Sequence, residues 1–128
     1  MSVLAQIGAA LARELALPDV DTVTTIVVRV LVAAVLGGMV GWEREFKGRA
    51  AGLKTHILVS IGSALFVLAP LLADIDGADV TRVMQGIVSG IGFLGAGAIL
   101  KLDKDERIEG LTTAAGVWMT AAIGMAAG

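Results

Sequence analysis

Glu43, Arg44 and Glu45, followed eleven residues later by the sole histidine, His56, are the residues of this chain best equipped for chemistry. Two carboxylates and an imidazole could hold a cation or pass protons. Magnesium prefers oxygen ligands and water, which makes Glu43 a weak candidate ligand with Glu45 beside it. Zinc is poorly served by one histidine and distant acids. Arg44 and Lys47 neutralise both carboxylates, so an ion-pair network is the plainer reading and no firm metal site is expected. Thr55, Thr112 and Thr113 add hydroxyls that could equally be helix caps. No nucleophile–base pair is visible, so neither an enzyme nor a cofactor is expected. Gly90-Ile-Gly-Phe-Leu-Gly95 has dinucleotide-binding spacing. It lies inside an apolar segment with no strand before it, and the match is accidental.

The elements that position these residues follow from composition. The chain is 56% hydrophobic and 17% charged, with a mean hydropathy of +0.85. Soluble domains carry about 25% charged residues, so this is a membrane domain. The net charge of −2 does not point to a nucleic-acid partner, and the lack of cysteine excludes disulfides. Arg13 and Glu14 interrupt the apolar N-terminus, which therefore does not read as a signal peptide. Charged loops separate four apolar segments, near Val23–Trp42, Thr55–Ala73, Val83–Leu100 and Leu111–Ala127. Each has about the length a helix needs to cross a bilayer. Val3–Leu17 reads as a short amphipathic helix on the membrane surface, ended by Pro18. The expected architecture is all-α: a single polytopic transmembrane bundle of four helices, preceded by that helix, with no C-terminal soluble domain.

Orientation follows from the basic residues. The 43–54 and 101–110 loops hold seven of the ten Lys and Arg and are expected in the cytoplasm, with both termini outside. Trp42 falls at the cytoplasmic end of its helix, where an interfacial tryptophan belongs. Trp118 falls mid-helix and does not fit that pattern. This arrangement brings Glu43, Arg44, Glu45, Thr55, His56, Thr112, Thr113, Gly95 and Gly97 to one depth, a candidate site.

Arg29 lies within the first span, about 20 Å from Trp42 at 1.5 Å per residue. It either snorkels outward or needs a partner, and Asp74, Asp76, Asp79, Gln85 and Ser89 are candidates. Arg29, Ala33, Leu36, Val40 and Glu43 share one helical face, and Ala34, Gly37 and Gly41 another. His56, Ser60 and Ser63 form a polar stripe, as do Gln85 and Ser89 with Gly92 and Ala96. Such stripes are either interhelical hydrogen bonds or the wall of a hydrated path. Five of the sixteen residues in Gln85–Leu100 are glycine. Gly37 with Gly41, and Gly86 with Gly90, have the spacing that lets helices touch, and Gly92, Gly95 and Gly97 extend the pattern. Four short glycine-rich helices bury little alone, so a homodimer is expected.

Three blocks carry a family resemblance: Gly41-Trp-Glu-Arg-Glu-Phe-Lys-Gly-Arg-Ala-Ala-Gly-Leu-Lys-Thr-His56, Gly90-Ile-Gly-Phe-Leu-Gly-Ala-Gly-Ala-Ile-Leu100 and Gly110-Leu-Thr-Thr-Ala-Ala-Gly-Val-Trp118. In order and spacing they resemble the membrane domain of the MgtC/SapB family. The resemblance implies a bacterial inner-membrane protein linked to low-magnesium adaptation and intracellular survival. It also implies a regulator, not an enzyme, with the membrane sector of the F-type ATP synthase as one partner. It singles out Glu43 as a residue important for function, and His56 at a position held by Asn or His. Family members continue into a fifth membrane helix and often a cytoplasmic domain, beyond the point where this sequence stops. A carrier or channel for magnesium, protons or a small solute is the alternative.

Overall fold

A computed structural model describes residues 2–100 and 107–128. They form five helices: α1 Val3–Glu14, α2 Val20–Phe46, α3 Leu53–Leu72, α4 Gly77–Leu100 and α5 Arg107–Ala127. Helices α2 to α5 are each long and apolar enough to cross a bilayer. The expected all-α membrane bundle is therefore present. Several helices start before their apolar stretch because the caps lie outside it. Asp19 caps α2 by accepting from the Thr22 amide at 3.0 Å and its hydroxyl at 2.7 Å. Ser2 caps α1 through the Ala5 amide. Helix α1 touches no other helix among the described residues. Its apolar side, Val3, Leu4, Ile7 and Leu11, is exposed, as a helix lying on a membrane surface requires.

The core lies between α2, α3 and α5. Helices α3 and α5 touch each other, α2 packs on one side of the pair and α4 on the other, and α2 does not meet α4 among the described residues. Small residues explain how close the core helices come. A Cβ on Gly37 would sit 2.6 Å from Ser60 Cβ and 2.8 Å from the His56 carbonyl oxygen; one on Gly41 would sit 2.7 Å from Leu53 Cα. A Cβ on Gly124 or Gly128 would run into the main chain of Ser60 or Ala64. One stretch of α3 is thus held between glycines of two neighbours. The buried ridge of α2 is Ala33, Gly37 and Gly41, with Arg29 one turn earlier. Ala33 therefore groups with the glycines, whereas Leu36 and Glu43 turn outward.

Helix α4 departs from expectation. A side chain added at Gly86, Gly90, Gly92 or Gly97 would meet nothing within 4 Å. Only Gly95 packs, with Ala114 Cβ 3.3 Å from where its own Cβ would lie. The polar pair Gln85 and Ser89 is exposed. Gly95 apart, the glycines of α4 therefore do not hold it against the helices that carry the buried polar groups.

Candidate functional site

Both faces of α3 that meet α2 and α5 are polar at their centre. His56, Ser60 and Ser63 are buried, as are Thr113 and Thr120 of α5. The stripe expected on α3 is real and points into the core. Ser60 Oγ donates to the Ala33 carbonyl at 2.7 Å, and Thr120 Oγ1 donates to the Gly116 carbonyl at 2.8 Å. Both hydroxyls are satisfied by main chain: Ser60 ties α3 to α2, whereas Thr120 bonds back one turn within α5. His56 Nδ1 lies 2.8 Å from the Gly52 carbonyl. A carbonyl only accepts, so Nδ1 carries a proton. His56 Nε2 is buried with no partner among the described residues, as are the Nε groups of Arg44 and Arg49.

The basic residues beside this layer have separate tasks. Arg44 lays its guanidinium on Gly116 of α5, with Nε 3.6 Å from where a Cβ would stand. A methyl group at 116 would be in ordinary contact with it. Glu45 lies over Gly52 and accepts from the Leu53 amide at 3.1 Å, which caps α3 from the neighbouring helix. Gly48, at φ +64, reverses the chain after α2 in the left-handed region that favours glycine. The turn sends Arg49 to Glu109 of α5, at 2.6 Å. Glu43 pairs with Lys47 one turn on, and both are half exposed. Glu43, Arg44 and Glu45 thus do share one end of the bundle with His56. Among the described residues no cluster of three or more His, Asp or Glu could hold a metal ion.

Depth differs from expectation for α5. Gly124 against Ser60 and Gly128 against Ala64 fix the register of two parallel helices. Counting back along both sets Thr120 beside His56, Trp118 beside Lys54 and Thr113 beside the α2–α3 loop. Thr112 and Thr113 are therefore about 10 Å nearer the basic end than His56, at 1.5 Å per residue. Thr112 is exposed and so is Thr55. Trp118, anomalous in the sequence, lies level with Trp42, since Gly41 meets Leu53. Both tryptophans are well exposed, at 68% for Trp42 and 49% for Trp118, and stand at one level of the bundle. The Lys101 and Lys104 portion of the expected basic loop lies outside the described residues.

Arg29 neither snorkels nor meets the groups expected of it. It is partly buried and donates to the main-chain carbonyl of Gly128. Gln85 and Ser89 cannot reach it because α3 and α5 stand between α2 and α4. The outer-loop acids lie beyond α3, and Asp79 pairs with Arg82 instead.

Sequence reasoning missed Thr120, Gly116, Gly124 and Gly128. Their signal was the four-residue spacing of Gly116, Thr120, Gly124 and Gly128, one face of α5.

Between α3 and α4 the helices splay and leave an apolar groove of about 480 Å³. It runs from Val83 and Phe66 to Leu94 and Leu58, with Gly62, Gly86 and Gly90 along it.

Comparison with known proteins agrees with this architecture. The chain is 44% identical over 109 residues to "Putative magnesium transporter YhiD" of Escherichia coli, covering 80% of this chain and 50% of that protein. Protein SrpB of Synechococcus elongatus is 43% identical over 111 residues, 78% of this chain and 61% of its own length. Protein MgtC of Brucella abortus is 49% identical over 96 residues, 75% of this chain and 39% of its own. The chain thus spans about half the length of the curated relatives it matches. No solved structure matches. The pattern of the MgtC family covers residues 30–128, and the chain belongs to that family.

Proposed function

We propose that this chain is a non-enzymatic regulator of the bacterial inner membrane, which acts by docking a transmembrane helix of another membrane protein. The observation that carries this reading is the α3–α4 groove. Apart from Ser63 its named lining is apolar, it carries no charge, and Gly62, Gly86 and Gly90 leave room for a backbone to approach. Within a bilayer such small-residue surfaces support helix association through packing. An uncharged lining calls for an apolar helix as occupant. The core meanwhile supports the non-carrier reading: the Ser60 and Thr120 hydroxyls are closed by main-chain bonds and its helices touch backbone to backbone. The family resemblance adds the physiological setting, low-magnesium adaptation and intracellular survival, and suggests the membrane sector of the F-type ATP synthase as a partner to test. The basic end, with Glu43, would face the cytoplasm. A second copy of this chain is the other occupant to test, in line with the expected dimer.

One observation favours a carrier. Arg29 faces the bundle inside the membrane, and His56 keeps a buried nitrogen without a partner among the described residues. The name of the Escherichia coli relative points the same way. Flux separates the two. Purified protein in liposomes is expected to move neither magnesium nor protons above empty vesicles. Magnesium flux abolished by Glu43→Gln would overturn the regulator reading.

A further inference from the structure

A second, smaller crevice of about 330 Å³ opens beyond Leu58, between α2 and the first turns of α3. Glu45, Leu53, Lys54, Ile57 and Leu58 line it. Its wall is apolar, and Ile57 packs on Gly38 of α2. Its mouth is charged. Glu45 there is occupied by the Leu53 amide. Lys54 makes no ion pair among the described residues, whereas Lys47 and Arg49 each have one. Lys54 is also level with Trp118 and one residue past the Leu53–Gly41 contact that sets the depth of Trp42. Lys54, without an ion pair among the described residues, thus stands level with the two tryptophans and lines the mouth of an apolar slot. Between Glu43 and Lys54 four cations outnumber two acids.

We propose that this crevice binds one anionic phospholipid, with its phosphate on Lys54 and an acyl chain against Ile57 and Leu58. Charge complementarity selects the occupant. A zwitterionic lipid would bring a choline cation beside Lys54, and a partner helix would leave Lys54 buried against hydrocarbon. Basic pockets between membrane helices recognise acidic headgroups in this way, each Lys near the surface contributing about 1 kcal/mol. This site shares only Leu58 with the α3–α4 groove, and neither proposal depends on the other.

The test is lipid retention. The protein is reconstituted in vesicles of equimolar phosphatidylglycerol and phosphatidylcholine, released into mild detergent and weighed by native mass spectrometry. One retained phosphatidylglycerol is expected in clear preference to phosphatidylcholine. Lys54→Ala should lower that preference about fivefold, the equivalent of about 1 kcal/mol. Lys54→Arg should keep it. Lys47→Ala should leave it unchanged, and Ile57→Trp should reduce retention of both lipids by filling the slot. Circular dichroism confirms that each variant remains helical. Equal retention of the two lipids would overturn the proposal. So would a Lys54→Ala variant that behaves like wild type, an equal loss in Lys47→Ala and Lys54→Ala, or a dimer peak that carries no lipid.

Discussion

The glycines of α2 and α5 and the glycines of α4 have similar spacing but opposite surroundings. Gly37, Gly41, Gly124 and Gly128 each face a main chain or a Cβ that leaves no room for a methyl group. Gly86, Gly90, Gly92 and Gly97 face open space. The first set makes a tight three-helix core, in which the Ser60 and Thr120 hydroxyls bond to main chain. The second leaves α4 attached chiefly to α5, with a groove on its α3 side. A small-xxx-small motif therefore says that a close approach is permitted, not that the approach occurs within the chain. Where nothing fills it, the motif is an open surface in the membrane.

The strongest way to break this comparison is to fill both sets. Gly124→Leu forces the Ser60 backbone away and should cost about 3 kcal/mol or more, since core overpacking costs about 1–3 kcal/mol and here main chain must yield. Gly86→Leu should leave stability near wild type. Thermal or denaturant unfolding in mixed micelles reads both, and equal losses would erase the distinction between the two sets. Gly48→Ala sharpens it from another side. No atom lies within 4 Å of the added methyl, yet φ is +64. A loss of about 1–2 kcal/mol is expected from backbone conformation alone. Ser60→Ala removes the bond to the Ala33 carbonyl and should cost about 0.6 kcal/mol, a typical interhelical value. A much larger loss would mean that the hydroxyl, not glycine packing, holds α2 on α3. The Arg49–Glu109 pair should couple by about 0.5 kcal/mol or less in a double-mutant cycle, because Glu109 is 61% exposed.

Helix number and approximate spans were legible because each apolar segment is bounded by charge. So was the inward stripe His56, Ser60 and Ser63, which follows from helical periodicity. Depth within α5 was not. Arg107–Gly116 is helical and moderately apolar, so hydropathy alone does not mark where the helix meets the boundary. Thr112 and Thr113 were set level with His56 for that reason. Trp118 carried the true register, and its misfit in mid-helix was the clue. The partner of Arg29 was illegible in principle, since it is a main-chain carbonyl, which every residue offers. The role of Glu45 was hidden similarly: it caps a helix eight residues away in sequence, where Gly52 has no side chain to do so.

The central claim is that the open glycine surface on α4, and not the sealed core, carries function. Its most direct test is Gly90→Leu, measured in one strain for both unfolding of the purified protein and support of growth in low magnesium. The account predicts wild-type stability with growth support lost, because the groove is filled while the core is untouched. Growth support retained at wild-type stability would contradict it.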